Sequence, residues 1–254
     1  MKIVLIQSPL VWENAQANRI YFAEKITSIE SNVDLIVLPE MFTTGFTMNP
    51  QNVAETMDGE TVSWMKDTAE KTTSAICGSV VIIENNHYRN RFLFVFPSGE
   101  IQFYDKRHLF MLTGEDKAYA SGEKKVIIEY KAWKICPQVC YDLRFPVFSR
   151  NVEGYDLLIY SANWPEARIN AWDILLKARA IENMSYVIGV NRIGEDNNDY
   201  NYPGHSQVLD CFGNYIVPPS ENEGVFIAGL DKNTMFEARK KFGFLNDRDA
   251  FTVI

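Results

Sequence analysis

The sequence predicts a layered α/β fold, one domain with mixed sheets and helices covering the outer sheet faces. Three observations carry this. Short apolar runs of strand length alternate with longer stretches of helical periodicity along the whole chain. Neither a low-complexity linker nor a composition break divides the 254 residues, so 1–254 read as a single domain. The apolar fraction of 46% and charged fraction of 23% are those of an ordinary globule with a large core.

The elements follow in order. "KIVLIQ" (2–7) is a buried-strand run. Residues 15–30 carry Phe22, Ile26 and Ile29 at i, i+4 and i+7, on one face of a helix. "DLIVLPE" (34–40) is a strand ending at Pro39, because proline brings no N–H to a ladder. After a polar, glycine-containing loop, 60–72 places Val62, Met65 and Ala69 on a second helical face. Strand-like runs come next at 75–83, 88–97, 100–108 and 125–130, with "PSGE" (97–100) as a hairpin turn. A strand over 133–140 follows. The second half repeats the theme: a strand at 156–163, a helix at 170–184 and a strand at 186–191. A hairpin over 205–219 turning at "FGN", the strand "GVFIAGL" and a helix at 232–242 complete it.

Composition bounds the function. A net charge of −8 excludes a nucleic-acid surface as the expected partner, since phosphate binding needs clustered lysine and arginine. Four cysteines in a chain of this size are no disulfide scaffold, and their spacing (Cys77, Cys136, Cys140, Cys211) fits no zinc pattern. The apolar run in "MKIVLIQSPL" is too short for a signal peptide, and no run approaches membrane-spanning length. A cytoplasmic, enzyme-sized protein with no membrane partner is the expectation.

Cys136 and Cys140 stand four apart in "ICPQVCYDLRFP". Pro137 biases Cys136 to extended backbone, so one helix does not carry both. In a strand, four residues span about 13 Å, beyond the roughly 7 Å Cα separation that a disulfide tolerates. The pair is therefore inert filler or contains one reactive thiol.

Three strand ends carry unusual residues. Glu40 follows "LIVLP", Lys106 lies in "FYDKRH" on the strand face of Gln102 and Tyr104, and Cys140 closes its strand before "YD". Singly, each has a bland reading: a solvated loop carboxylate, an exposed strand charge, a filler thiol. Together they are chemically coherent. A lysine ammonium favours a neighbouring thiolate and can stabilise an oxyanion, and a carboxylate can take the thiol proton and return it to a leaving amine. The backbone N–H of Tyr141 would be a second oxyanion donor.

These segments resemble the nitrilase, or carbon–nitrogen hydrolase, superfamily with its Glu-Lys-Cys triad. The matching pieces are "LIVLPEMFTTGF", "YDKRHLF", "VCYDLRFP", "SANWP", "KARAIEN" and "GHSQVLDCFGN", spread over essentially the whole chain. The wording "VCYDLRFPVFSRN … SANWPEAR … ARAIENMSYVIGVNRIG" is similar to the bacterial omega-amidase branch. Members of that branch hydrolyse the terminal amide of 2-oxoglutaramate and 2-oxosuccinamate, releasing ammonia and a 2-oxo dicarboxylic acid. The resemblance implies a four-layer αββα sandwich that pairs as a homodimer through the layer holding the helix after the cysteine. It implies Glu40 as general base and acid, Lys106 as oxyanion partner and Cys140 as the nucleophile that forms a thioester. Family members place a second glutamate between lysine and cysteine, and "LTGEDKAYASGE" offers Glu115 there, with Glu123 lying farther on, near the next strand. It implies neither metal nor organic cofactor.

For the small amide substrate, Arg168 is the candidate cation for a carboxylate, and Trp164, Phe145 and Phe46 are candidate pocket walls beside Tyr141. Asp142 and Arg144 read as structural, paired with each other or a strand end, and Arg179 with Glu182 as a supporting salt bridge. His108 and His205 read as hydrogen-bonded structural residues. Pro137 inside the nucleophile strand departs from the family pattern and predicts local irregularity; Cys211 stands where many relatives have proline. The same motifs leave two other readings open: an amidase for deaminated glutathione or an N-carbamoyl amine, and a catalytically silent scaffold.

Overall fold

The parallel centre of each sheet is made of runs apolar at most positions, as suits strands covered on both faces. In the first, β1 (Lys2–Gln7), β2 (Leu35–Val37) and β3 (Ala75–Glu84) run parallel. The strands β4 (His87–Val95) and β5 (Ile101–Asp105) extend this sheet antiparallel on one side, and β14 (Gly224–Gly229) pairs antiparallel on the other. The second repeats the plan: β7 (Trp133–Val139), β8 (Leu157–Ala162) and β9 (Tyr186–Asn191) are parallel. There β6 (Ile128–Tyr130) closes one edge, and β12 (Gln207–Leu209) and β13 (Tyr215–Val217) the other. The computed structural model describes residues 1–252.

Side-chain alternation sorts each strand between two cores. Ile3, Leu5, Leu35 and Val37 of the first sheet meet Ile135, Leu157, Ile159 and Ile188 of the second in one cluster between the sheets. Their neighbours Val4, Ile6 and Ile36 face the other way, onto Phe22 and Ile26 of α1 (Ala15–Thr27) and Val62, Met65 and Ala69 of α2 (Glu60–Thr72). Leu158, Tyr160 and Val187 likewise face Trp172, Leu176 and Ala180 of α5 (Ile169–Asn183). The order is helix, sheet, sheet, helix: the αββα sandwich. Close approach of α5 depends on Gly189, where a Cβ would lie 2.5 Å from Leu176 and 2.7 Å from Trp172. Truncating Leu176 to alanine would cost about 2–5 kcal/mol at such a site. A last helix, α6 (Lys232–Phe242), packs Met235 and Ala238 into the central cluster. Among the described residues no helix is long and apolar enough to cross a membrane.

Several boundaries differ from the sequence reading. The first helix stops at Thr27, three residues early, where Ser28 caps it through a bond to the Glu24 carbonyl. Lys106–His108 lie beyond β5, which ends at Asp105. The segment around Pro137 is regular: it stays in register with Ile159 of β8, and β6 pairs β7 only from Trp133 to Ile135, so no strand waits for the missing N–H. An unpredicted small hairpin, β10 (Ile193–Glu195) with β11 (Asn201–Pro203), stands apart from both sheets. Its sequence, "IGEDNNDYNYP", is too polar for strand periodicity to reveal it.

Candidate active site

Both sheets deliver residues to one place. Glu40 follows β2 and Lys106 follows β5 in the first sheet, while Cys140 follows β7 in the second. Met41, after the glutamate, turns at φ +43° with its N–H on Ser79 Oγ (2.8 Å). Cys140 has the same left-handed φ of +43°, a conformation unfavourable for a residue with a Cβ and sustained only by its surroundings. Here Asp142 accepts the Val139 N–H (2.9 Å) and closes the turn.

Glu40, Lys106 and Glu115 form a buried ionic triangle. The lysine Nζ lies 2.9 Å from Glu40 Oε1 and 2.9 Å from each Glu115 oxygen, and neither carboxylate is exposed. Lys106 is 1% exposed, which overturns its bland reading as a solvated strand charge. Asn90, from β4, donates its Nδ2 to Glu40 Oε1 (2.8 Å) and Glu115 Oε1 (3.3 Å). The N–H of Phe110 donates to Glu115 Oε2 (2.6 Å), and that of Asn163 to Glu40 Oε2 (2.9 Å). Glu115 opens the short helix α3 (Glu115–Ala118), whereas Glu123 is exposed and its carbonyl accepts from Arg107 (2.7 Å).

Burial and the three charges together set the protonation of the thiol. Burial alone would push the Lys106 ammonium down, but Glu115 and Glu40 outweigh it and hold its pKa above the ordinary lysine value. Burial raises the Glu115 carboxyl, with Lys106 opposing and Glu40 assisting. Burial first, and then Glu40, raise the Cys140 thiol well above its ordinary range, and Glu115 adds to this; Lys106 pulls the other way and loses. A lysine alone favours a thiolate; burial, with two carboxylates against one ammonium, favours the protonated thiol instead.

Cys140 opens on a cavity of about 400 Å³. Of the predicted substrate residues, Phe46, Tyr141, Trp164 and Arg168 line it. Phe145, just before the short helix α4 (Pro146–Ser149), does not: its ring stacks on His108 (centroids 3.7 Å apart) and meets Tyr141 edge-on, so it supports a wall residue. Asp142 and Arg144 do not pair with each other. Asp142 takes Tyr104, Val139 and His108 as donors, while Arg144 lies over the Trp164 ring (5.1 Å) and lines the cavity. Arg168 lies over Phe110 at 5.1 Å. Among the described residues neither arginine has a carboxylate partner. Asp196, Tyr200 and Tyr202 of the unpredicted hairpin form a further wall. Arg179 bonds Glu182 (2.9 Å) and the Leu143 carbonyl (2.6 Å), as a support should. Cys136 is buried against the α5 side and, like the other three cysteines, is free.

A family model described as carbon-nitrogen hydrolase matches residues 2–240. The chain is 44% identical over 255 residues to "Omega-amidase YafV" of Yersinia enterocolitica, covering 100% of this chain and 99% of that one. It is 33% identical over 232 residues to "2-oxoglutaramate amidase" of Bacillus subtilis, covering 89% and 88%. Among solved structures, a CN-hydrolase superfamily protein of Xanthomonas campestris, with an arsenic adduct in its active site, superimposes with a TM-score of 0.97. That protein is 41% identical, with 100% of this chain and 98% of that one covered.

Proposed function

The chain belongs to the carbon-nitrogen hydrolase family and is an amidase, and from that premise we propose that it hydrolyses the terminal amide of small 2-oxo acid amides, 2-oxoglutaramate and 2-oxosuccinamate. The observation that carries the reading is the buried Glu40–Lys106–Glu115 triangle beside a thiol that lines a cavity with two guanidiniums that have no carboxylate partner among the described residues. A planar carboxylate is the natural partner for such groups, and the relatives named for 2-oxoglutaramate point the same way.

On this reading Cys140 Sγ attacks the amide carbon while Glu40 takes its proton. The Lys106 ammonium and the Tyr141 N–H donate to the oxyanion. The C–N bond then breaks, Glu40 returns the proton to the amine, and ammonia leaves a thioester on Cys140. Water, deprotonated by Glu40, cleaves that thioester, and the thiol regains its proton. Glu115 holds Lys106 charged and orients the amide. The reading extends to a cytoplasmic setting, supported by four free thiols. It also extends to a homodimer through the α5 layer, where Ile174, Ile181, Phe212 and Phe242 are exposed apolar residues.

An ammonia-release screen over 2-oxoglutaramate, 2-oxosuccinamate, deaminated glutathione, an N-carbamoyl amine, glutamine and simple nitriles tests it. The first two should lead by kcat/KM. A preference for deaminated glutathione or the carbamoyl amine would reassign the substrate, and silence on all would support a scaffold.

A further inference from the structure

The two halves of the site come from different sheets, and specific bonds hold them in register. On the Glu40 side, Asn163 donates its N–H to Glu40 Oε2 (2.9 Å) and its Nδ2 to the Glu40 carbonyl (2.6 Å), and Ser161 Oγ donates to the Leu38 carbonyl (2.8 Å). On the Lys106 side the hydrogen bonds among the described residues converge on one carboxylate, that of Asp142. We propose that His108 is a positioning residue: through Asp142 it fixes the Lys106 ammonium against the Cys140 thiol. The proposal rests on the Glu40–Lys106–Cys140 reading above.

Asp142 is fully buried and sits two residues after Cys140; His108 sits two residues after Lys106. The Asp142 carboxylate accepts four hydrogen bonds. Two come from its own side of the site and β5: the Val139 N–H (2.9 Å), which closes the turn at Cys140, and the Tyr104 hydroxyl (2.8 Å). The other two come from His108, through its backbone N–H (3.1 Å) and its Nδ1 (2.7 Å). One carboxylate thus reads both the conformation of the cysteine turn and the course of the lysine segment.

That segment depends on such a tie. Past Asp105 the ladder ends, and the backbone donors of Lys106, Arg107, His108 and Phe110 go to four separate places. These are the Asn90 carbonyl, the Tyr104 hydroxyl, Asp142 and Glu115. The imidazole is itself held in orientation, stacked on Phe145 at 3.7 Å with an interplanar angle of 6° and edge-on to Phe148 at 5.3 Å. Phe145 in turn braces Tyr141, whose N–H is the second oxyanion donor of the mechanism. Loss of the Nδ1 donor would leave Asp142 only the His108 N–H and the Tyr104 hydroxyl from the lysine side and so loosen that side, while leaving each sheet intact.

The test separates the Nδ1 hydrogen bond from mere bulk. Asparagine can place an N–H where Nδ1 stands; glutamine places one nearer Nε2 and misses Asp142. Expected is a kcat loss of about 10–100-fold in His108→Ala, the scale of an ångström-sized misplacement, with KM little changed. His108→Asn should recover most of that loss and His108→Gln should not. The second-order rate of Cys140 alkylation by iodoacetamide should follow the same ranking, and it needs no substrate. A wild type inert on every amide would therefore count against the proposed function alone. Equal kcat and alkylation rates in the Asn and Gln variants, or a His108→Ala loss confined to KM, would overturn the proposal. Should His108→Ala fail to fold, the Asn–Gln pair decides by itself.

Discussion

Both carboxylate oxygens of Glu115 lie 2.9 Å from the Lys106 ammonium, with neither side chain in contact with solvent. This pairing answers a question of charge. A buried ammonium with one carboxylate would be neutral; burial first, and then the excess negative charge that Glu40 brings to the triangle, raise the neighbouring thiol well above its ordinary range. Glu115→Gln keeps an acceptor for Lys106 and Asn90 but removes that excess charge. The expected outcome is a folded protein by circular dichroism, with thioester formation slowed severely in single-turnover kinetics. Glu123→Gln, at an exposed residue, should be silent; a reversed pattern would show that the second glutamate is misassigned.

Glu40→Gln and Lys106→Ala act on opposite signs of the same field. Removing Glu40 takes away a charge that raises the thiol, so Cys140 should ionise at lower pH in Glu40→Gln; removing Lys106 should push ionisation higher. Both should nevertheless lose turnover, by about 10²–10⁴-fold for the acid–base group and about 10²–10³-fold for the oxyanion donor. Alkylation rate against pH, beside kcat, reads both effects. A Glu40→Gln enzyme with raised thiol pKa would contradict the charge balance.

Cys140 and Cys136 separate by environment. Cys140 borders the cavity, whereas Cys136 is wholly buried and its thiol is pushed up to about 12 by burial. Iodoacetamide followed by mass spectrometry should label Cys140 in step with lost ammonia release. Cys140→Ala should be inert and folded, and Cys136→Ala should keep most activity.

Much of this was legible in the sequence, and the failures share a cause. Apolar runs with period near 2 or 3.6 exposed the sheets and helices, because burial on two faces demands such patterns. The hairpin at 193–203 escaped because a polar ribbon closing over a cavity has no such pattern. Arg144 was misread for a related reason: spacing alone placed it beside Asp142, whereas the helical turn after Cys140 points the two apart, one to Tyr104 and His108, the other over Trp164. The burial of Lys106 was likewise invisible, since a strand-end lysine is ordinarily solvated and only the return of Glu115 from a later loop makes burial tolerable.

Alkaline stability should report the buried thiols. An unfolded cysteine ionises near pH 8.5, while folded Cys136 keeps its proton up to about 12. Across that window the unfolded state binds fewer protons, so stability falls as pH rises. Below it the thiol contributes nothing to the pH dependence. Urea unfolding at a series of pH values should show the decline, and Cys136→Ala should make it shallower by up to one proton, about 1.4 kcal/mol per pH unit. An unchanged slope would mean that Cys136 ionises alike in both states.

The two cavity arginines carry the substrate assignment. Trp164 donates its indole N–H to the Arg168 carbonyl (2.7 Å) and lies beneath the Arg144 guanidinium, so one aromatic ring organises both cations. Among the described residues each guanidinium lacks a carboxylate of its own, and a 2-oxo acid amide brings one. A hydrogen bond to a charged group contributes about 1.5–3 kcal/mol, so losing it should lower kcat/KM roughly tenfold to a hundredfold. Arg168→Ala and Arg144→Ala should each show this on 2-oxoglutaramate, chiefly through KM. Arg→Lys at the position that binds the carboxylate should recover only part, because lysine keeps the charge without the bidentate fork. A simple aliphatic amide without a carboxylate is the control: its turnover, however slow, should be unchanged by either substitution. Equal losses on the control would place the arginines in the framework of the cavity wall and leave the carboxylate without its partner.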